Sequence, residues 1–277
     1  MDNRPIGVFD SGVGGLTTVK ELHRILPGED IIYFGDTGRV PYGTRSGETI
    51  RKYAAQDIRF LDSFGVKAIV AACGTVSSNI SAEEVRQLGV DVPYIGVVPP
   101  ACREACEQSK NGRIGVIATG ATIASGAYEA EIRARHPDAQ VFGEACPLLV
   151  PLVENALTDR RNPITRHALE MYLRPLRDEQ IDTLILGCTH YPLLYAIIDE
   201  MMEHRVKLVD AGAAAASALR AEMQKQDLLA GRRQGCTTYY MTDTVKHFTQ
   251  VAKNFLDKDI ERDCRYVPIE RLEGRTE

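Results

Sequence analysis

Ala68-Ile69-Val70-Ala71-Ala72-Cys73-Gly74-Thr75 and Thr183-Leu184-Ile185-Leu186-Gly187-Cys188-Thr189-His190 follow one plan: an apolar run ending on a cysteine with a threonine beside it. Short, continuously apolar runs of this kind read as strands buried on both faces, as in a parallel sheet. Similar β-rich runs occur at 6–10, 30–36, 93–98, 114–119, 141–146 and 207–210. Between them Leu16, Val19, Leu22 and Leu26, and again Ile50, Ala54, Ile58 and Leu61, recur at helical spacing. Repeated alternation of strand and helix predicts an α/β fold with largely parallel sheets covered on both faces, and functional groups at the carboxyl ends of the strands. Cys73 and Cys188 stand at two such ends.

The pattern occurs twice. Ile6-Gly7-Val8-Phe9-Asp10-Ser11-Gly12 is echoed by Ile114-Gly115-Val116-Ile117-Ala118-Thr119-Gly120, and the Cys73 segment by the Cys188 segment. Two related halves facing each other would bring both thiols to one interdomain cleft; generic βα units arriving at similar glycine patterns by chance is the alternative. Val98-Pro99-Pro100 marks the crossover into the second half, since adjacent prolines interrupt a strand or begin a helix. A return falls near 203–207. Phe248, Val251, Ala252 and Phe255 then define a late apolar helical face, and 265–277 reads as a surface C-terminal extension without a catalytic role.

Composition narrows the function. The chain has 277 residues, 33 Lys plus Arg against 38 Asp plus Glu, and a formal net charge of -5, which offers no field for a polyanion such as nucleic acid. Seven cysteines at long, irregular intervals do not form a disulfide framework, so reduced thiols are expected. The start of the chain has no apolar secretory segment, and its apolar runs are too short for a bilayer. A cytoplasmic protein without membrane contact is expected.

Cys73 and Cys188 are the chemically informative pair, because a thiol titrates close enough to neutrality for modest perturbation to poise thiol and thiolate. One sulfur can remove a proton while the other returns one from the opposite face, inverting a stereocentre. A small hydrophobe buried in a strand is the bland reading of each cysteine. Asp10 and His190 can orient or tune the sulfurs, with Glu154 supplementing His190; a strand-end hydrogen bond, a satisfied histidine and a solvated carboxylate are the respective alternatives. Asp10-Ser11-Gly12-Val13-Gly14-Gly15 can bring backbone amides to an anion, a substrate carboxylate rather than a nucleotide, because it matches neither GxxxxGK[ST] nor GxGxxG. Alternatively it is a tight turn with Ser11 capping the next helix. Pro41, Tyr42 and Gly43 form a candidate pocket wall, with the Tyr42 hydroxyl on offer, or an ordinary surface turn; Arg39 and Arg45 are expected to face solvent. With no CxxC pair, no HExxH motif and no nucleotide loop, the simplest site needs no metal and no cofactor.

These segments, with Gly35-Asp36-Thr37, Ala145-Cys146-Pro147-Leu148 and Leu186 through Pro192, resemble the aspartate/glutamate racemase family, its bacterial glutamate racemases most closely. The resemblance extends over about 6–210 and weakens toward 256. It implies two pseudosymmetric α/β domains, one formed by 1–98 and completed by 207–264, the other by 99–206, with the substrate between them. It also implies Cys73 and Cys188 as opposed acid and base, support from Asp10, Glu154 and His190, and substrate contacts at or beside Ser11, Pro41, Tyr42, Gly43, Gly74, Thr75, Thr119, Thr189 and His190. The expected activity is cofactor-independent interconversion of L-glutamate and D-glutamate, supplying D-glutamate for peptidoglycan, by a homodimer. Regulation by a peptidoglycan precursor stays open. An aspartate or related racemase and a non-enzymatic amino-acid sensor are the alternatives. One departure stands out: the family's first cysteine is usually followed by asparagine, where this chain has Gly74, so a side-chain contact to substrate is missing and backbone, water or Asn79 would have to replace it.

Overall fold

The computed structural model describes residues 1–256 and 258–274. Ten strands are present among them: β1 (Ile6–Asp10), β2 (Ile31–Gly35), β3 (Ala68–Ala71), β4 (Tyr94–Gly96), β5 (Arg113–Ala118), β6 (Gln140–Ala145), β7 (Thr183–Leu186), β8 (Lys207–Asp210), β9 (Thr237–Met241) and β10 (Cys264–Tyr266). They form a six-stranded sheet in the order β10-β9-β2-β1-β3-β4 and a four-stranded sheet in the order β6-β5-β7-β8. Every pairing is parallel. The central strands β1, β3 and β7 are buried along their whole length, which is why their sequences do not alternate.

The order β2-β1-β3-β4 recurs as β6-β5-β7-β8, second strand, first, third, fourth. The short sequence echoes therefore reflect a repeated topology. It makes β1 the counterpart of β5 and β3 the counterpart of β7, so that Cys73 and Cys188 follow equivalent strands. The helix Val98–Gln108 starts with its two prolines in the first turn, where a missing N–H costs nothing, and it packs in the second half.

Two boundaries differ from the sequence reading. The return to the first half does not fall at 207: β8 pairs with β7, from Thr183↔Lys207 to Leu186↔Asp210, and belongs to the second sheet. Only after Asp210, whose side chain accepts hydrogen bonds from the Gly212 and Ala213 amides and caps the helix Ala211–Lys225, does the chain pass back to add β9 beside β2. Nor is 265–274 a surface extension. Arg265 and Tyr266 lie in β10, Val267 is buried in the first half's core, and a short helix spans Ile269–Leu272; positions 275–277 lie outside the described residues. β9 and β10 were not anticipated. Thr237-Thr238-Tyr239-Tyr240-Met241 carries the β-branched and aromatic signal of a strand, whereas three residues of β10 carry none. No described helix is long and apolar enough to cross a membrane.

Beneath the first sheet Lys67 and Glu29, both almost fully buried, form an ion pair of 2.5 Å; Lys67 also donates to the Asp2 carbonyl, and Glu29 accepts from the Ala230 amide. The pair thus ties the chain's start and the segment before β9 to one sheet. Removing one partner strands a buried charge, so Lys67→Met is expected to cost about 3–5 kcal/mol. Urea unfolding checks this, and the double variant Lys67→Met/Glu29→Gln should recover much of the loss.

Candidate active site

Each sheet delivers residues from its carboxyl ends. Asp10 closes β1, Cys73 is the second residue after β3, Thr119 follows β5, and Cys188 is the second residue after β7. The two halves meet along these ends. A Cβ placed on Gly14 would collide with the Thr189 hydroxyl and the His190 ring, and one placed on Gly74 would collide with the Gly187 carbonyl oxygen. The loop after β7 therefore lies flush against the loops after β1 and β3. Thr17 Oγ1 donates to the Thr189 carbonyl at 2.9 Å, and Thr189 Oγ1 donates to Asp10 at 3.4 Å, which stitches the halves together on this side. On the other side the hydroxyls of Thr75, Thr119 and Thr122 form a triangle of 2.9–3.2 Å, and Gly43 fits against Thr119.

The surroundings of the two sulfurs differ. Cys73, nearly buried, donates to Ser11 Oγ at 3.5 Å. Burial, reinforced by the charge of Asp10, pushes its thiol up to about 12. Asp10 is itself raised by burial, against which the charge of His190 and the amides of Gly12 and Gly15 act. The glycine loop is thus turned on a carboxylate of its own: Gly12 N–H reaches Asp10 Oδ1 at 2.8 Å. Ser11 does not cap the following helix, whose N-cap position is Gly15.

Cys188 sits 3.7 Å from His190 Nδ1, and His190 Nε2 sits 2.9 Å from Glu154 Oε1, giving a thiol–imidazole–carboxylate chain. Burial opposes a charge on this ring, but the hydrogen bonds to Cys188 and Glu154 outweigh it and raise the imidazole to about 10. Phe255 meets the His190 ring edge to face at 5.4 Å, and Asn254 Nδ2 donates to the Glu154 carbonyl at 3.0 Å. The stretch after the helix Val245–Ala252 therefore supports the second thiol's partners, a role that a generic apolar periodicity does not disclose.

Asp10, Ser11, Cys73, Gly74, Thr75, Thr119, Glu154, Cys188, Thr189 and His190 are brought together in this way. Pro41 and Tyr42 behave differently from expectation. Pro41 is exposed, and the buried Tyr42 hydroxyl does not serve the cleft: it donates to Asp36 and to Asp57, the latter at 3.2 Å. Arg39, expected in solvent, is buried between the same carboxylates at 2.6 and 2.9 Å and lies over the Tyr53 ring, while Arg45 is exposed. Two acidic side chains facing one guanidinium supply the reason for that burial, and burial, with Asp36 beside it, pushes Asp57 well up. Asn79 does not stand in for a side chain at position 74, since its amide donates to the Thr75 carbonyl at 2.8 Å. Among the described residues no group of three or more His, Cys, Asp or Glu is placed to hold a metal ion.

The fold and site define a protein of two repeated α/β halves, each carrying a thiol just past its third strand, where the halves meet. Residues 6–219 match the model of the Asp/Glu/Hydantoin racemase family. A glutamate racemase of Thermoanaerobacter pseudethanolicus is 42% identical over 271 residues, covering 98% of this chain and 100% of the relative. The crystal structure of glutamate racemase isoform RacE1 from Bacillus anthracis superposes with a TM-score of 0.91 at 36% identity, covering 97% of this chain and 99% of that one. Glutamate racemase from Francisella tularensis, solved with D-glutamate, gives 0.89 at 38% identity, with coverage of 98% and 100%. The chain belongs to the Asp/Glu/Hydantoin racemase family.

Because only a thiolate is readily alkylated, the raised Cys73 should react slowly with iodoacetamide at pH 7 in the empty site, and its rate should keep climbing above pH 9 rather than level off there. Asp10→Asn removes a charge that holds the thiol protonated, so the same rise should move to lower pH. Peptide-resolved mass spectrometry of the labelled protein measures both.

Proposed function

We propose that this chain interconverts L-glutamate and D-glutamate without a cofactor, by proton transfer at Cα between Cys73 and Cys188, and that it supplies D-glutamate for peptidoglycan. The observation that carries the reading is the pair of thiols contributed by equivalent strands of two facing halves, each with its own polar support. With the substrate between them, Cys73 removes the α-proton of the D-isomer as its thiolate, and the Cys188 thiol protonates the opposite face. From the L-isomer the roles exchange. Each turnover breaks one Cα–H bond and makes another, leaving the two sulfurs with their protonation states swapped.

The α-proton is far less acidic than a thiol, so the cleft must favour the carbanion and keep water out. In the empty site Cys73 rests as a thiol, because burial and Asp10 both disfavour a second negative charge. A substrate ammonium beside Asp10 reverses that balance, neutralising the carboxylate and lowering the cost of the thiolate. Binding thereby creates the base. On the other side His190, itself held by Glu154, lies beside Cys188, which gives up its proton when it acts as acid and takes one when it acts as base. The hydroxyls of Ser11, Thr75, Thr119 and Thr189 are positioned to hold the substrate's polar ends, and the backbone at Gly43 and Gly74 permits close approach. A homodimer in the cytoplasm goes with this reading, and sedimentation velocity tests the dimer.

Solvent deuterium incorporation at Cα, followed with each isomer of glutamate and aspartate, tests the activity. Both glutamates should exchange and invert, and Cys73→Ser and Cys188→Ser should each lower inversion by about 100- to 10,000-fold. Preferred exchange of aspartate would assign an aspartate racemase instead, and binding without any exchange would leave a sensor.

Glu154→Gln should remove the carboxylate that keeps His190 charged. Since enantiomers have equal free energies, kcat/KM must fall equally in both directions. The primary isotope effect should rise selectively with α-deuterated L-glutamate, whose proton Cys188 removes; competitive isotope measurements read it.

A further inference from the structure

Strand β2 presents two aromatic residues in succession, and only one of them carries a hydroxyl. Phe34 packs on Phe60 at 4.8 Å, while Tyr33, in the apolar cluster on the opposite face, meets Tyr239 of β9 at 6.0 Å and Phe248 at 6.2 Å. Both are fully buried. Packing alone asks for no hydroxyl at position 33, and a buried one costs free energy unless it is hydrogen-bonded. The Tyr33 hydroxyl is bonded to the glycine turn: it donates to the Gly12 carbonyl oxygen at 2.8 Å. The amide of the same Gly12 donates to Asp10 Oδ1, also at 2.8 Å. Gly12 is thus gripped at both ends, and the turn closes around the ring. A Cβ on Gly15 would lie 3.1 Å from Tyr33 Cε2, and one on Gly35 would lie 2.4 Å from the Gly12 carbonyl oxygen.

We propose that Tyr33 is a positioning residue for the first thiol, its hydroxyl fixing the turn that carries both the Asp10 carboxylate and the Ser11 hydroxyl serving Cys73. This deepens the racemase reading and rests on it. Ser11 Oγ accepts from the Cys73 thiol at 3.5 Å, and it stands between Asp10 and the Gly12 held by the tyrosine. With Oδ1 of Asp10 taken by the Gly12 amide, Oδ2 is the oxygen turned to the second half, where Thr189 Oγ1 donates to it at 3.4 Å. Removing the Tyr33 hydroxyl leaves the ring packing in place and the Gly12 carbonyl without its donor. The partners of Cys188, His190 and Glu154, belong to the second half and are untouched. Misplacement of reacting groups by about 1 Å costs about 100-fold in rate, and the proton transfer at Cys73 is the one slowed. That transfer then limits both directions more strongly, so the isotope effect rises for the isomer whose proton Cys73 removes and falls for the other. A general loss of packing slows both transfers and produces no such opposed shift.

The test compares the native chain with Tyr33→Phe, Gly35→Ala and Tyr239→Phe. Gly35→Ala pushes on the same Gly12 carbonyl without touching the tyrosine hydroxyl, and Tyr239→Phe removes a buried hydroxyl from the neighbouring ring that makes no hydrogen bond to the turn. Tyr33→Phe should lower kcat/KM about 10- to 100-fold in both directions. Its primary isotope effect should rise with α-deuterated D-glutamate and fall with α-deuterated L-glutamate. Gly35→Ala should move the two isotope effects in the same opposed sense, and Tyr239→Phe should match the native chain. Hydrogen exchange of the unliganded protein, read by mass spectrometry, should be faster in Tyr33→Phe over residues 10–16 and unchanged over 183–188. An unchanged kcat/KM in Tyr33→Phe would overturn the inference, as would isotope effects that move together, native exchange over 10–16, or a Tyr239→Phe variant that behaves like Tyr33→Phe. If Tyr33→Phe does not fold, the isotope effects of Gly35→Ala decide. If the native chain exchanges neither glutamate isomer, the racemase reading fails, and hydrogen exchange over 10–16 still decides whether the Tyr33 hydroxyl holds the turn.

Discussion

Backbone contact between the loops after β3 and β7 is the constraint on which the site depends. Parallel pairing gathers the carboxyl ends of each sheet's strands at one edge of that sheet, and the repeated order places the third strand of each half in an equivalent position. Those facts alone bring two strand ends into the same region. What closes the remaining distance is the absence of side chains at Gly14 and Gly74, with the threonine hydroxyls on either side holding the halves in register.

The repeat is geometric, and its chemistry is not symmetric. Asp10 ends β1 beside Cys73, but the equivalent strand β5 ends in Ala118 and Thr119, so the second half has no matching carboxylate there. Cys188 instead draws on His190, two residues on, and on Glu154 from the helix Leu149–Glu154. One thiol has an anion at its side that discourages its ionisation, whereas the other lies beside an imidazole raised to about 10. In a two-thiol inversion each sulfur must be acid in one direction and base in the other.

Behind the pocket wall, the buried Asp36, Arg39, Tyr42 and Asp57 form a network that also reaches β9 through Thr242, which donates to Asp36 at 2.8 Å. The late strand β9 and the residues Asn254 and Phe255 show that the first half is completed from the far end of the chain, and that part of this completion bears on the second thiol's histidine.

The local pattern was legible wherever local physics decides it. Short β-rich runs marked β1 through β8, glycines marked the strand-to-helix turns, and the two strand-end cysteines with a threonine beside them marked the thiols, since each rests on residues near in sequence. β10 was too short to carry a pattern, and Lys207 was misassigned to the first half because a strand's sequence does not say which sheet its edge hydrogen bonds will join. Arg39 and Tyr42 read as loop residues, since nothing nearby in the chain announces that Asp57 will be buried beneath them. The sequence by itself thus determined the fold class and marked the two strand-end thiols, while the repeat was decided by the strand order. Tertiary structure decided their different electrostatic settings, the engagement of Tyr42, and the close approach at Gly74, because each depends on groups far apart in the chain that only packing makes neighbours.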